Sequence, residues 1–275
     1  MFITIINDCK SQNDIGRQET RLASLFDNCH ISFVGVTSSL GSVPTLEASG
    51  NLIDVIDAAE GKKGIVIVNV APRGEVKKDG TNGSSFCYFY YKETLVISTI
   101  KGYALSLIKK LKLVKNVNVV NVNEVLNDIV KLGLITKDVA SKINNSQFRS
   151  FDFVPRLAYW LYNGVKIPSQ TLSIDQISHP PSYIWLVDSF GNAKLTLFKD
   201  DLPLKGSPLK VKTNLGNFPF YERLKDVPDG ETAIYTGSSG IGNNRFLEIA
   251  TQNKEGSAER SLNIKVGKEI KFLNL

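Results

Sequence analysis

The sequence GIVIVNV, residues 64–70, decides the fold of the first half of the chain. It is a nearly unbroken run of β-branched apolar residues, which is typical of a strand buried on both faces of a parallel sheet. Two further apolar runs, 2–7 and 31–36, precede it, and apolar residues recur at helical spacing in 16–28 and 46–59. Strands that alternate with helices predict an α/β domain with a mostly parallel sheet.

The same alternation continues to about residue 165. Asn123 and Thr136 precede apolar periodic segments and are predicted helix N-caps. The remaining predicted strands are 86–91, 94–99 and 117–122, and the remaining predicted helices are 103–110, 124 onward, 137–143 and 154–162. We therefore expect an N-terminal α/β domain over residues 1–165.

After residue 165 the sequence changes character. Residues 166–182 contain Pro168, Pro180 and Pro181 among polar side chains and are predicted to be a linker. From residue 183 onward, short apolar runs alternate with turns. This pattern predicts an all-β C-terminal domain over 183–275, either a sandwich or a barrel, with strands at 183–188, 194–199, 208–213, 232–236 and 246–251 and two more around Val266.

Composition narrows the class of protein. The chain has 275 residues, of which 42% are hydrophobic and 22% charged, as in globular proteins and unlike disordered or collagen-like chains. It contains no run of about 18 apolar residues, so no membrane span is predicted. The first residues, MFITIINDCK, lack the basic region and cleavage site of a signal peptide, and a cytoplasmic location is expected.

The net charge of +6 raises the question of an anionic partner. The basic residues are spread along the chain, however, and the densest cluster, within 109–115, is expected to be a solvated helix end. Because the sequence has no aromatic-basic motif of a nucleic-acid-binding module, nucleic acid is not favoured as a partner. Three cysteines without a CxxC pair and two histidines predict no metal site.

Three polar segments are candidates for ligand binding. Asp8 follows the first strand, at the position where ligands of open α/β sheets bind, although capping the next segment is an equally good interpretation. The segment DSFGN, 188–192, places a carboxylate and an amide around a Gly turn, and an ordinary hairpin turn is favoured there from position alone. The segment TGSSGIGNN, 236–244, offers backbone N–H groups to an anion but lacks the lysine of a P-loop.

Taken in order, these segments resemble the S-adenosylmethionine (SAM) hydroxide adenosyltransferases, relatives of the fluorinase and chlorinase enzymes. In the first half the likeness rests on ITIINDCKSQND (3–14), FVGVTSS (33–39) and IVNVAPRG (67–74). In the second half it rests on WLVDSFGN (185–192), Tyr221 with DVPDGE (226–231), TGSS (236–239) with FLEIA (246–250), and a closing segment from Ala258 through KVGKEI (265–270). The likeness spans nearly the whole chain.

The resemblance implies a homotrimer that binds SAM between the N-terminal domain of one subunit and the C-terminal domain of the next. It implies no cofactor, since SAM is the substrate. By this likeness nine residues are expected to bind SAM: the ribose contact Asp8, the amine contacts Asn13 or Asp14 and Asp188, Phe190 of the same motif, the adenine contacts Asn192 and Tyr221, and the carboxylate contacts Ser238 and Ser239.

The positions expected to activate water differ from the family pattern. Hydrolases of this family are thought to use an Asp, an Arg and a His. Here the Asp position is Ala71, the Arg position falls at Lys78 or nearby, with Arg73 also in that segment, and the His position is Arg149. These four residues are candidates for a water or anion site, and the catalytic residues stay unassigned.

The sequence therefore predicts a protein that binds SAM and hydrolyses it to adenosine and methionine by attack at the ribose 5′ carbon. Two alternatives stay open. One is a catalytically silent homologue that binds an adenosyl ligand, which Ala71 and Arg149 favour, and the other is a variant that uses a halide.

Overall fold

The computed structural model describes residues 1–37, 41, 43–72, 84–203, 209–253 and 257–273, and the chain divides into two compact units, Met1–Ser178 and His179–Leu275. The segment predicted to be a linker, 166–182, covers the boundary between the units. It is not entirely loop, because Gln170–Ser173 form a strand of the first unit.

The first unit alternates strands and helices, as its apolar periodicity predicts. In chain order its elements are β1 (Phe2–Asn7), α1 (Gln12–Ala23), β2 (His30–Gly35), α2 (Val43–Ala58), β3 (Gly64–Asn69), β4 (Phe86–Tyr91), β5 (Thr94–Thr99), α3 (Ser106–Lys110), β6 (Asn116–Val120), α4 (Val122–Lys131), α5 (Lys137–Asn144), α6 (Arg149–Asp152), α7 (Val154–Tyr162) and β7 (Gln170–Ser173).

These strands form one sheet in the order β2-β1-β3-β5-β4-β6-β7. The pairs β1–β2, β1–β3 and β3–β5 are parallel, whereas β4 pairs antiparallel with β5 and β6, and β6 pairs antiparallel with β7. The predicted α/β class is confirmed, with the parallel strands confined to one half of a mixed sheet. The central strand β3 carries Ile65, Val66 and Val68, each at most 1% exposed, as expected for a strand covered on both faces.

Two helix starts differ from the sequence prediction, and side-chain capping explains both. The helix predicted from Gly16 begins four residues earlier, because the Ser11 hydroxyl accepts a hydrogen bond from the backbone N–H of Asp14 at 3.2 Å. The α4 helix is capped by Asn121, whose side-chain oxygen accepts from the backbone N–H of Asn123, the residue predicted to be the cap.

The N-cap predicted for α5 is present. The Thr136 hydroxyl lies 3.3 Å from the backbone N–H of Val139 and accepts a hydrogen bond from it. The predicted start of α5 is therefore confirmed, and the side chain of Thr136 accounts for it.

Part of the basic cluster within 109–115 has a structural role. The Lys109 ammonium donates to the carbonyl oxygens of Asp175 at 2.8 Å and Ile177 at 2.6 Å. Lys109 and Lys110 also lie in the last turn of α3, where positive charge complements the helix dipole.

The second unit is built mainly from strands. Its elements are β8 (Ile184–Val187), β9 (Ala193–Leu195), β10 (Lys210–Thr213), β11 (Gly216–Tyr221), β12 (Thr232–Ile241), β13 (Asn244–Thr251) and α8 (Ser257–Leu262). The strands pair in the order β10-β11-β12-β13-β9-β8. The predicted strand-rich C-terminal domain is confirmed.

The segment 267–273 joins the two edges of this sheet. Gly267 N–H donates to the carbonyl of Ile184 in β8, and Ile184 N–H donates to Lys268. At the other edge, Leu273 N–H donates to the carbonyl of Lys212 in β10. Because the same short segment bonds to both edge strands, it closes the sheet in the manner of a barrel.

Sequence analysis missed two elements of this unit. The β11 strand contains Pro219 and begins at a Gly with φ of 150°, and both residue types are depleted in strands. The tail was predicted to hold two strands around Val266, but it begins with α8 and then forms only isolated bridges, from Glu269 to Tyr183 and from Phe272 to Thr213.

Candidate functional site

Asp8 lies at the carboxyl end of β1, among the ends of the parallel strands. The loop that carries it is fixed by Asn7, which is 2% exposed. The Asn7 amide donates to the carbonyl of Cys9 at 2.8 Å, and its oxygen accepts from the N–H of Cys9 at 3.1 Å. That oxygen also accepts from the Asn69 amide at 3.0 Å, so the loops after β1 and β3 are held side by side.

Ala71 lies in the second of these loops, two residues beyond the end of β3. The loop is held on its other side by Thr99, whose hydroxyl donates to the carbonyl of Val70 at 2.5 Å. The predicted positions Arg73 and Lys78 lie outside the described residues. At Ala71 itself there is no side-chain group that accepts a proton from water.

The residues predicted near the substrate amine, Asn13 and Asp14, lie in the first turn of α1. Asp14 is part of the helix cap, because its carboxylate accepts from the Ser11 hydroxyl at 2.6 Å while its N–H donates back to Ser11. Asn13 is exposed and borders a cleft between α1 and α6. Of the two residues, Asn13 makes fewer hydrogen bonds within the helix.

Arg149 is the first residue of the short helix α6. Its Nε atom is buried and has no hydrogen-bond partner among the described residues. A guanidinium stays protonated in proteins and acts as a donor only. Arg149 can therefore orient an anion or a water molecule, but it cannot take a proton from water.

In the second unit, Asp188 organises the turn between β8 and β9. One carboxylate oxygen accepts from the N–H groups of Phe190 and Asn192, each at 2.9 Å, and the other accepts from the Asn192 side-chain amide at 3.1 Å. Gly191, at φ of 79°, makes the reversal possible. The turn holds its carboxylate and amide rigidly together and displays the Phe190 ring, which is 73% exposed.

Tyr221 begins a row of polar side chains across one face of the second sheet. The pairing register places Tyr221 beside Tyr235, Tyr235 beside Glu248, and Glu248 beside Lys194. The opposite face carries the apolar core, with Phe220, Ile234 and Ile249 in the neighbouring register positions. Tyr221 donates to Glu231 at 2.7 Å, and this hydrogen bond raises the pKa of its hydroxyl.

Ser238 and Ser239 lie in an irregular stretch of β12, between Thr236 and Gly240. Ser238 is exposed, but its N–H donates to Glu248 at 3.1 Å. Ser239 is 2% exposed, and its hydroxyl accepts from the Lys194 ammonium at 2.6 Å. The two serines that were predicted to contact the substrate carboxylate are thus hydrogen-bonded within the protein, Ser238 to Glu248 and Ser239 to Lys194.

Glu248 is the centre of that network. It is 5% exposed and accepts from the Tyr235 hydroxyl at 2.5 Å as well as from Ser238. Burial, with the neighbouring Glu248 charge, strongly raises the pKa of Tyr235. Sequence reasoning missed Glu248, although a single carboxylate inside the apolar run FLEIA is a signal that could have found it.

Asn7, Asn69 and Lys194 were also missed as organising residues. Both asparagines end otherwise apolar strands, which is a readable signal. Nothing in the local sequence distinguishes Lys194 from a solvated lysine.

Three comparisons with known proteins bear on these residues. Residues 182–271 match the family model of the SAM hydroxide adenosyltransferase C-terminal domain. The resemblance stated from the sequence is thereby confirmed, and the matched range contains Asp188, Asn192, Tyr221 and both serines. None of the curated proteins matches the chain.

Solved structures resemble this chain in fold over its whole length. An uncharacterized conserved protein from Thermotoga maritima is 17% identical with a TM-score of 0.67, covering 99% of this chain and 100% of its own. A conserved hypothetical protein from Thermus thermophilus is 15% identical with a TM-score of 0.60, covering 99% of both chains. At these identities the likeness concerns the fold alone.

Metal clusters and membrane-spanning helices are both absent from the part of the chain that the structure describes. No group of three or more His, Cys, Asp or Glu side chains there is arranged to hold a metal ion. No helix in the same part of the chain is long and apolar enough to cross a membrane.

Proposed function

We propose that the protein binds SAM and hydrolyses it to adenosine and methionine. The observation that carries the proposal is the family match over 182–271, together with the rigid turn that holds Asp188 and Asn192 in that range. A fixed carboxylate suits the ammonium group of the ligand, and an amide with a nearby aromatic ring suits a planar base.

The first unit supports the other half of the ligand in this proposal. Asp8, at the carboxyl end of β1, accepts hydrogen bonds from the ribose hydroxyls, and Asn7 with Asn69 keeps its loop in place. The resemblance further implies a homotrimer whose sites combine residues of neighbouring subunits, which light scattering during size-exclusion chromatography tests directly.

The proposed reaction is an in-line displacement at the ribose 5′ carbon. Hydroxide forms the new C–O bond as the C–S bond breaks, and methionine leaves as a neutral thioether. Because an anion attacks a cation, charge cancels in the transition state, and exclusion of water from the site favours the reaction. The sulfonium is itself a good leaving group, so no acid is needed to protonate the departing sulfur.

Water activation is where this chain departs from its relatives. Ala71 has no acceptor and Arg149 is a donor only. This observation favours a second candidate function, a silent homologue that binds the adenosyl ligand without turnover. A halide as nucleophile, which needs no base, is the third outcome that the assay below distinguishes.

Calorimetry and chromatography on the same sample separate these functions. We expect SAM to bind and adenosine to accumulate above a protein-free blank. Asp188→Asn keeps the oxygen that accepts from the two N–H groups but loses the charge, so SAM affinity is expected to fall about 10–100-fold. The control Asp200→Asn removes the same charge from an exposed residue and is expected to leave affinity unchanged.

Each result has one interpretation. Binding without adenosine supports the silent homologue, and a 5′-halo product that appears only with added chloride or fluoride supports the halide variant. If neither SAM nor any other adenosyl compound binds, the proposal is wrong.

A further inference from the structure

A cleft of about 540 Å³ runs along α1 where that helix faces α6. Its size falls within the range of small-molecule sites. Only Asn13 is shared with the residues predicted to bind SAM. The lining residues are Gln12, Asn13, Gly16, Arg17, Thr20, Arg21, Ser24, Phe151 and Asp152.

Positive charge exceeds negative charge around this cleft. Arg17 and Arg21 lie one turn apart on α1, and Arg156 lies behind Arg21. Asp152 is the carboxylate that faces them: it contacts Arg21 at 3.4 Å and also accepts from the Ser146 hydroxyl at 2.6 Å. Burial first, and then the nearby Arg21 charge, lowers the pKa of Arg156, while the Asp152 charge acts in the opposite direction.

Arg17 is held in position by aromatic rings and not by hydrogen bonds from its guanidinium. Its guanidinium carbon lies 4.6 Å from the centre of the Phe151 ring and 5.9 Å from that of Phe148. Among the described residues, no group accepts a hydrogen bond from Arg17. A guanidinium that contacts aromatic rings and keeps its donors for a ligand can bind a phosphate.

An aromatic surface lies beside these donors. Phe148 stacks on buried Phe151, with ring centres 5.5 Å apart and planes 29° apart, yet Phe148 remains 50% exposed. One ring face is therefore supported and a large part of the ring is open. Such a ring is suited to stacking of a nucleobase.

The wall formed by α1 is open at Gly16. A Cβ atom added there would meet no atom within 4 Å. The cleft is therefore unobstructed over Gly16.

We propose that this cleft binds a nucleoside 5′-phosphate, with the phosphates at Arg17 and Arg21 and the base on Phe148. The two arginines supply bidentate donors to the phosphate oxygens, and the open space over Gly16 admits the sugar. The cleft shares only Asn13 with the residues proposed to bind SAM, so we expect the two ligands to bind at the same time.

Guanosine diphosphate is the probe, because an adenine nucleotide would also test the proposed SAM site. Titration calorimetry with the full chain is expected to detect GDP, weaker pyrophosphate and no guanosine. GDP affinity is expected to fall at least about 10-fold in Arg17→Met, which keeps the apolar stem, and less than about 2-fold in Lys225→Met, which removes one exposed charge from the other unit.

Two more variants test the cleft and the stacking independently. Gly16→Leu fills the open space and is expected to abolish GDP binding without lowering the melting temperature, since Leu is a better helix former than Gly. Phe148→Leu is expected to weaken GDP but not pyrophosphate.

Four results would overturn the proposal. GDP does not bind; Arg17→Met and Lys225→Met weaken it equally; pyrophosphate binds as tightly as GDP; or saturating SAM displaces GDP, which would assign the nucleotide to the SAM site. Because the first three of these measurements require neither turnover nor SAM binding, the cleft can fail or succeed independently of the proposed function.

Discussion

Replacing Glu248 by alanine is expected to lower the free energy of unfolding of the second unit by about 3–5 kcal/mol. The carboxylate is 5% exposed and accepts from the Tyr235 hydroxyl and the Ser238 N–H. Tyr235 is itself 4% exposed, so water cannot replace Glu248 as the acceptor for its hydroxyl. The Tyr235 hydroxyl left without an acceptor costs about 1–3 kcal/mol, and the N–H of exposed Ser238 costs about 1 kcal/mol. The one methylene that is lost adds about 1 kcal/mol.

Two companion variants show whether hydrogen bonding is the cause. Glu248→Gln keeps one acceptor oxygen and is expected to cost less, about 1–2 kcal/mol. In the double variant Glu248→Leu with Tyr235→Phe, both polar partners are replaced by apolar ones. Its cost is expected to be smaller than the sum of the two single costs.

Urea unfolding followed by tryptophan fluorescence measures these costs. The two tryptophans lie in different units, Trp160 in the first and Trp185 in the second. A Trp160→Phe background therefore reports the second unit alone. The control is Glu222→Ala, an exposed partner of Lys199, because surface ion pairs contribute about 0–1 kcal/mol. If Glu248→Ala and Glu222→Ala cost the same, the network does not stabilise this unit.

Three more outcomes follow from the structure. Asn7→Ala removes both the acceptor and the donor that fix the loop after β1, and it is expected to cost the first unit about 2–3 kcal/mol, against about 1 for Asn69→Ala, in urea unfolding read from Trp160. Burial raises the pKa of Cys87 to about 12, so the thiol stays protonated in the fold, and stability falls as pH rises from about 9 towards about 12, because the unfolded chain releases that proton first. Denaturation at pH 8 and pH 10 should reveal a steeper fall of stability with pH in the native protein than in Cys87→Ala. A chain that ends at residue 265 is expected to lose the folded signal of the second unit and keep that of the first, since 267–273 bond to both edges of the second sheet; unchanged fluorescence of its Trp185 would contradict this.

The parts of the fold that local sequence determines were predictable. The buried strand 64–70 and the Thr136 cap depend on burial and on one side-chain hydrogen bond, and both are present. The capping error at α4 concerns two asparagines two residues apart, either of which has the required side chain. The β11 strand was not predicted because Pro219 disfavours a strand when the local sequence is considered alone. In the folded protein the neighbouring strands accommodate it.

Only the parts of the site that lie within one short sequence motif were predictable. The turn 188–192 combines the two interpretations made from sequence, because the same carboxylate that forms the turn is the one proposed to bind the amine. Glu248 and Lys194 come from different strands, so their pairing depends on a register that no local pattern contains. The cleft at Arg17 depends likewise on α1 meeting α6.

The closure of the second sheet has a consequence for synthesis of the protein on the ribosome. Residues 1–178 form the first unit, and they emerge while the rest of the chain is still being translated. The strands of the second unit have both edges unpaired until residues 267–273 have left the exit tunnel. During that interval β8 and β10 present open edges, which are templates for pairing with other chains. Protection of the nascent chain is therefore needed late in translation, after the first unit has already folded.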